Sequence, residues 1–195
     1  MTGLLPFDSG PKRVLVACET SGRVRDAFIA RGHDAVSCDL LPSKAGGPHI
    51  QGNAFDILGD GWDLMIAHPT CTKLTVAAAW TLYHPDDRAL PYADRRPHPK
   101  FPDRRREQDE AAEDFMRFAN APIRKKVIEN PVGVMSTRYR KPDQIVQPHW
   151  FGDDASKTTC LWLFDLPKLV IPPRELWFPP RLVFDATRGK TLPRW

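Results

Sequence analysis

Four short segments near the start of the chain constrain its fold more than anything that follows. "RVLVAC" (13–18) is a β-branched run and reads as a buried strand. "ETSG" then makes a small-residue turn. "RVRDAFIARG" places Val24, Ala27, Phe28 and Ala30 at helical spacing, with Gly32 as its stop. "HDAVSCDL" is a second strand that ends at Asp39. Strand, tight turn, helix and strand form the repeating unit of a parallel α/β sheet, in which ligands sit beyond the carboxyl ends of the strands.

The remaining segments extend that pattern. Residues 1–11 read as a loose arm and "PSKAGGPH" as a loop. "IQGNAFDIL" reads as a strand end and turn, and "WDLMIAH" (62–68) as the next strand. "EQDEAAEDFMRFAN" is an amphipathic helix with Ala111, Ala112, Phe115, Met116, Phe118 and Ala119 on one side. "KKVIEN" (125–130) is a strand stopped by Pro131, and "DQIVQ" and "TTCLWLF" are later strands. No repeat and no second domain is expected. The core spans about 12–170, and a proline-rich tail (171–195) wraps the surface. Residues 84–106 carry Pro85, Pro91, Pro97, Pro99 and Pro102 without apolar periodicity, and read as a surface loop. Seven Lys/Arg face four Asp there, which suits a solvated insertion or a phosphate-facing lid.

Composition narrows the function classes. The net charge of +4 suits an anionic ligand, nucleotide or nucleic acid, without requiring one. The cysteines Cys18, Cys38, Cys71 and Cys160 form no C-x-x-C pair, so no metal site is expected and free thiols are. No apolar run reaches ~18 residues, so the expectation is a soluble, cytoplasmic protein without a membrane partner.

Several polar groups fall at predicted strand ends: Glu19, Thr20, Ser21 and Gly22 after the first, Asp39 and Leu40 after the second, His68, Pro69 and Cys71 after "WDLMI", and Glu129 and Asn130 after "KKVI". An acidic residue at the position of Asp39 bonds a ribose hydroxyl in nucleotide-binding folds. "ETSGRV" lacks a G-x-G-x-x-G turn and the chain lacks a P-loop, so a small adenosine-type cofactor without phosphates fits better than a dinucleotide or ATP. Cys71 with Glu129 suits thiolate attack on an electron-poor ring carbon while an acid protonates the conjugated ring nitrogen. Cytosine, attacked at C6 and protonated at N3, is such a ring.

The order "VACETSG", "CDL", "QGN", "DLMIAHPTC" and "VIENP" resembles the S-adenosylmethionine-dependent cytosine-C5 methyltransferases, over residues 13–167. "FGDDASKTTCLWL" resembles small methyltransferase-like proteins found in phages. The resemblance implies a Rossmann-like class I methyltransferase fold, mostly parallel with helices on both faces. It implies Cys71 as nucleophile, Glu129 at cytosine N3, Asn130 as a brace of the Pro69–Cys71 corner, and Lys157 at cytosine O2. It implies S-adenosylmethionine held by Glu19–Gly22 at its methionine end, by Asp39 and Leu40 at the ribose, by Asn53 beside adenine, and by His68 and Pro69. Thr70 stands where the family has a second proline. No target-recognition domain is expected after Pro131. The substrate expected first is therefore a free deoxycytidine nucleotide (dCMP or dCTP), its phosphate held by Arg138, Arg140 or Lys141 in "TRYRKP" or by the 84–106 lid, with cytosine in DNA close behind. The alternative is a degenerate methyltransferase-fold module that binds DNA or a protein partner. A nucleotide-binding oxidoreductase or hydrolase is a distant third.

Overall fold

A computed structural model describes residues 10–179, 181–185 and 190–193. Most of the arm expected at 1–11 lies outside them. The elements run β1 (Arg13–Ala17), α1 (Arg23–Ile29), β2 (Asp34–Asp39), β3 (His49–Gln51), β4 (Leu64–Ala67), α2 (Arg104–Ala119), β5 (Lys125–Pro131), α3 (Met135–Arg138), β6 (Gln144–Val146), β7 (Thr159–Phe164), β8 (Leu182–Asp185) and β9 (Lys190–Pro193). The fold is α/β. Seven strands form one sheet in the order β3-β2-β1-β4-β5-β7-β6, and β8 and β9 form a separate antiparallel ribbon. The proline-rich tail thus contains a ribbon.

The first five strands are parallel, and β7 runs against both β5 and β6. The chain moves outward from β1 to β3, then returns to the other side of β1 as β4. That reversal opens a crevice at the carboxyl ends of β1 and β4.

Alternation along each strand sorts the core into two layers. Val14, Val16, Ala35, Leu64 and Ile66 face α1, where Val24 and Phe28 cover them. Leu15, Ala17, Met65, Ala67 and Ile128 face the other way, with Phe115 and Phe118 of α2. Successive strand residues point to opposite faces, so a strand covered on both sides reads as a continuous apolar run, as "RVLVA" and "LMIA" do. Burying Phe115 and Phe118 contributes about 1.5–3 kcal/mol each. Phe115 also meets Trp162 edge-on, with centroids 5.0 Å apart.

Two glycines fix the approach to the crevice. Gly22, at φ +73°, caps α1, and a Cβ there would sit 2.5 Å from Nη2 of Arg25. Arg25 is 1% exposed, and its guanidinium donates to Ser37 Oγ at 3.1 Å and to the Pro48 carbonyl at 3.3 Å. Gly133 pairs with Thr75, and its neighbour Val134 donates to the Leu74 carbonyl at 2.9 Å. A Cβ at Gly133 would overlap that carbonyl oxygen. Gly133→Ala is therefore expected to destabilise the protein by about 1–3 kcal/mol, an overpacking cost. Thermal unfolding measures it, and Gly59→Ala, where nothing lies within 4 Å of a Cβ, is the control.

Residues 84–106 are more ordered than a plain loop. They include 3-10 turns at Pro85–Asp87 and Tyr92–Asp94, after a longer one at Val76–Leu82. Buried Asp87 takes both a backbone and a guanidinium donor from Arg96, with a shortest contact of 2.6 Å. Such local polar pairing leaves no hydrophobic period to read.

Candidate active site

The sheet register lines up one residue from each inner strand. Cys38, Ala17, Ala67 and Ile128 are direct neighbours across β2, β1, β4 and β5. The next residue of each strand, Asp39, Cys18, His68 and Glu129, therefore stands along the carboxyl edge at the ~4.8 Å strand spacing. The antiparallel β7 brings a fifth group. Its Thr159 pairs with Pro131, so the segment preceding β7 arrives at this same edge, carrying Lys157.

Glu129 is the hub. Its Oε1 accepts from Lys157 Nζ at 3.1 Å, and its Oε2 lies 3.3 Å from His68 Nδ1. Burial opposes ionisation of this carboxyl. The His68 hydrogen bond and the Lys157 charge outweigh it, and the pKa is held below the ordinary value. Glu129 is thus a carboxylate at neutral pH. The sequence reading assigned His68 to the cofactor, whereas its ring is engaged with Glu129.

Asn130, 1% exposed, donates from Nδ2 to the Pro69 carbonyl at 3.1 Å, the bracing contact expected of it. That bond joins the end of β5 to the turn that carries Cys71. The turn is held from a second side, since Leu74 and Thr75 both donate to the Cys71 carbonyl at 3.0 Å. Arg104 and Gln108, at the start of α2, donate to the Thr72 and Lys73 carbonyls at 2.5 and 3.0 Å. Cys71 itself is half-buried. The other three thiols are poor nucleophile candidates. Burial, followed by the charge of Asp39, pushes Cys18 up to about 12 and Cys38 up to about 11, and burial also raises Cys160. The His68 Nε2 and Asn130 Oδ1 atoms are buried without a hydrogen-bond partner among the described residues. Buried polar atoms left open in this way are what a polar ligand satisfies.

Beside this cluster, at the β1/β4 reversal, lies a cavity of about 160 Å³. Cys18, Asp39, Leu40, Asn53, Pro69 and Thr70 line it, joined by Phe55, Asp114 and Phe118. One oxygen of Asp39 accepts from the Leu41 N–H at 2.9 Å, and the other has no partner among the described residues. A carboxylate with an open oxygen suits a ribose diol, and the flanking Leu40, Phe55 and Phe118 suit a flat apolar ring.

The remaining sequence candidates lie elsewhere. Glu19, Thr20, Ser21 and Gly22 do not line this cavity. Glu19 is 5% exposed and caps α1, accepting from Ser21 Oγ and from the Val24 and Arg25 N–H groups. Arg138 pairs with Asp109 at 2.5 Å and lines a separate open groove of about 1090 Å³ beside α2, with Phe55, Leu58 and Met116. Arg140 pairs with Asp143 at 2.7 Å, and Lys141 is exposed. Sequence reasoning missed Asp114 and Phe118 as lining residues. Both lie on α2, and no local pattern says which turn of a helix crosses a strand end.

No known protein family matches the chain, and no curated protein matches it. No helix among the described residues is long and apolar enough to cross a membrane.

Proposed function

We propose that the protein is an S-adenosylmethionine-dependent cytosine-C5 methyltransferase, with Cys71 as nucleophile and a deoxycytidine nucleotide or cytosine in DNA as substrate. The observation that carries this reading is the Asn130–Pro69 hydrogen bond, which ties the Cys71 turn to the strand end presenting Glu129. The mostly parallel sheet, with its ligand crevice at the β1/β4 reversal, is compatible with the fold that the resemblance implies.

The chain's own groups divide the chemistry. The Cys71 thiolate gives its lone pair to C6, forming the S–C6 bond. The displaced ring electrons reach N3, which takes a proton. Glu129 is ionised in the free site, so that proton must come through its donors, and those that touch it are His68 and Lys157. Lys157 has more than one N–H and can also serve the cytosine O2. Asn130 fixes the turn so that the sulfur approaches one face of the ring, an orientation effect rather than a charge effect. Asp39, Leu40, Asn53, Phe55 and Phe118 would hold the cofactor. Bound there, S-adenosylmethionine supplies the methyl group that C5 accepts. Transfer of the C5 proton to water, expulsion of the Cys71 thiolate from C6 and return of the N3 proton to its donor then restore the ring.

A second reading is a non-catalytic module of the same fold. The engagement of Glu19 with the α1 cap favours it, because that turn then has no free carboxylate for a cofactor. Labelled S-adenosylmethionine, incubated with dCMP, dCTP, single-stranded DNA or duplex DNA, separates the two. Label in 5-methyldeoxycytidine after digestion is the expected result. No label with any of these substrates overturns the catalytic reading.

A further inference from the structure

The segment between the Cys71 turn and α2 carries exposed aromatic rings and unpaired cations together. Trp80, Tyr92 and Phe101 are 52, 51 and 41% exposed. Trp80 meets Phe101 edge-on at 5.7 Å and the buried His98 at 5.5 Å. These contacts hold the rings in place without covering their outer surfaces. Arg95 lies over Tyr83 at 4.3 Å, and Arg105 over Tyr92 at 5.0 Å.

The charge balance of this surface is positive. Arg96 is neutralised by Asp87, and Arg106 by Glu110 and Asp103. Arg88, Arg95, Lys100 and Arg105 have no carboxylate partner among the described residues; Arg95 and Arg105 are fixed in place by backbone carbonyls, which neutralise none of their charge. The remaining acids of the segment are Asp86, beside His84 at 3.6 Å, and Asp94. The surface is also fixed to the chemistry. Arg104 bonds the Thr72 carbonyl and Gln108 the Lys73 carbonyl, immediately after Cys71.

We infer that this face binds single-stranded DNA, so that the cytosine presented to Cys71 is an unpaired base in a strand rather than a free nucleotide. Exposed rings stack on the flat faces of unpaired bases, and cations between them follow the backbone phosphates. A duplex hides those base faces, and a single strand needs no base flipping. Of the three groups expected to hold a free nucleotide's phosphate, Arg138 and Arg140 are already paired with Asp109 and Asp143, which leaves the exposed Lys141. The choice of a deoxy strand and of cytosine as the target rests on the methyltransferase reading. The surface itself does not.

Fluorescence anisotropy with a labelled oligodeoxycytidine of about 12 nucleotides, near the site size of such grooves, tests the inference on the full chain. The expected result is binding that weakens steeply with salt and exceeds that of the matching duplex. The double substitution Trp80→Ala with Phe101→Ala should weaken it by about tenfold or more. Arg88→Glu with Lys100→Glu should weaken it too and flatten the salt dependence. Arg88 and Lys100 are exposed, so thermal unfolding of their variant should not move, and the Trp80/Phe101 variant, which loses ring contacts with His98, is compared at a temperature where its own unfolding curve shows it folded. Absence of binding, equal binding by the variants, or tighter binding of duplex or RNA overturns the inference, as does a surface that instead takes a protein partner. The two proposals fail separately. Methyl transfer to dCMP without strand binding sinks the surface alone. Strand binding without methyl transfer to any substrate sinks the catalytic reading alone.

Discussion

Cys71→Ala is expected to leave a folded protein that forms no covalent adduct with a 5-fluorocytosine substrate and S-adenosylmethionine, whereas the wild-type protein should be trapped. Fluorine at C5 cannot leave as a proton, so the sulfur that attacked C6 stays attached. The adduct is visible by denaturing electrophoresis or intact mass. Methyl transfer is expected to fall by on the order of 10⁴-fold or more, as when a covalent nucleophile is removed. Folding should survive because Cys71 is half-buried and its structural work is done by its carbonyl, which accepts from Leu74 and Thr75. Cys18→Ala, Cys38→Ala and Cys160→Ala should keep the adduct, since their thiols are held protonated in the core. An adduct in Cys71→Ala would refute its role as nucleophile.

Glu129→Gln removes the carboxylate through which His68 and Lys157 deliver a proton to ring N3 and is expected to lower methyl transfer by roughly 10²–10⁴-fold, the range for general acid–base catalysis. The amide keeps the shape of the side chain, so the fold should survive, with unfolding moved only by the lost ion pairs with His68 and Lys157. The carboxyl also makes a pH prediction. Its folded pKa lies below the ordinary 4.5 despite burial, because of His68 and Lys157. The stabilisation from their pairing is therefore complete above about pH 4.5 and is lost as pH falls through the lowered value. Selective ¹³C labelling of glutamate carboxyls, assigned with Glu129→Gln, follows this titration directly. His68→Asn and Lys157→Met should each move the Glu129 midpoint upward. A midpoint unchanged in both would mean that neither contact governs its charge.

Much of this organisation is legible in the chain, and for a physical reason. "RVLVA" and "LMIA" read as strands because central strands are covered on both faces and show it as continuous apolar runs, whereas "KKVIEN" has only Val127 and Ile128 of such a run and is marked by the Pro131 that stops it. Position along a strand then places the groups that follow it, which is why Asp39, His68 and Glu129 could be assigned to one edge. Partners across the edge are less legible. His68 reads as a cofactor contact, and only the β4–β5 register brings its ring to Glu129. The anchoring of the 84–106 segment depends on single long side chains, such as Arg104 on Thr72, that leave no periodic trace. Glu19 shows the opposite case. Its turn has the composition of a ligand loop, yet its oxygens are consumed by the amide groups that open α1.

The reversed direction of β7 has a consequence for how the molecule could be altered. Lys157 reaches Glu129 from outside the parallel set, on a segment held by the start of β7 and by the hydrogen bond from Gln147 to the Thr158 hydroxyl. Its reach is thus set by the length of the connection from β6, separately from the spacing that positions His68. A change of one residue between Gly152 and Thr158 would shift the lysine relative to the carboxylate while leaving Asp39, His68 and Glu129 in line. The polar cluster is thus divided into a part with fixed pitch and a part with adjustable pitch, and the second can change without disturbing the first.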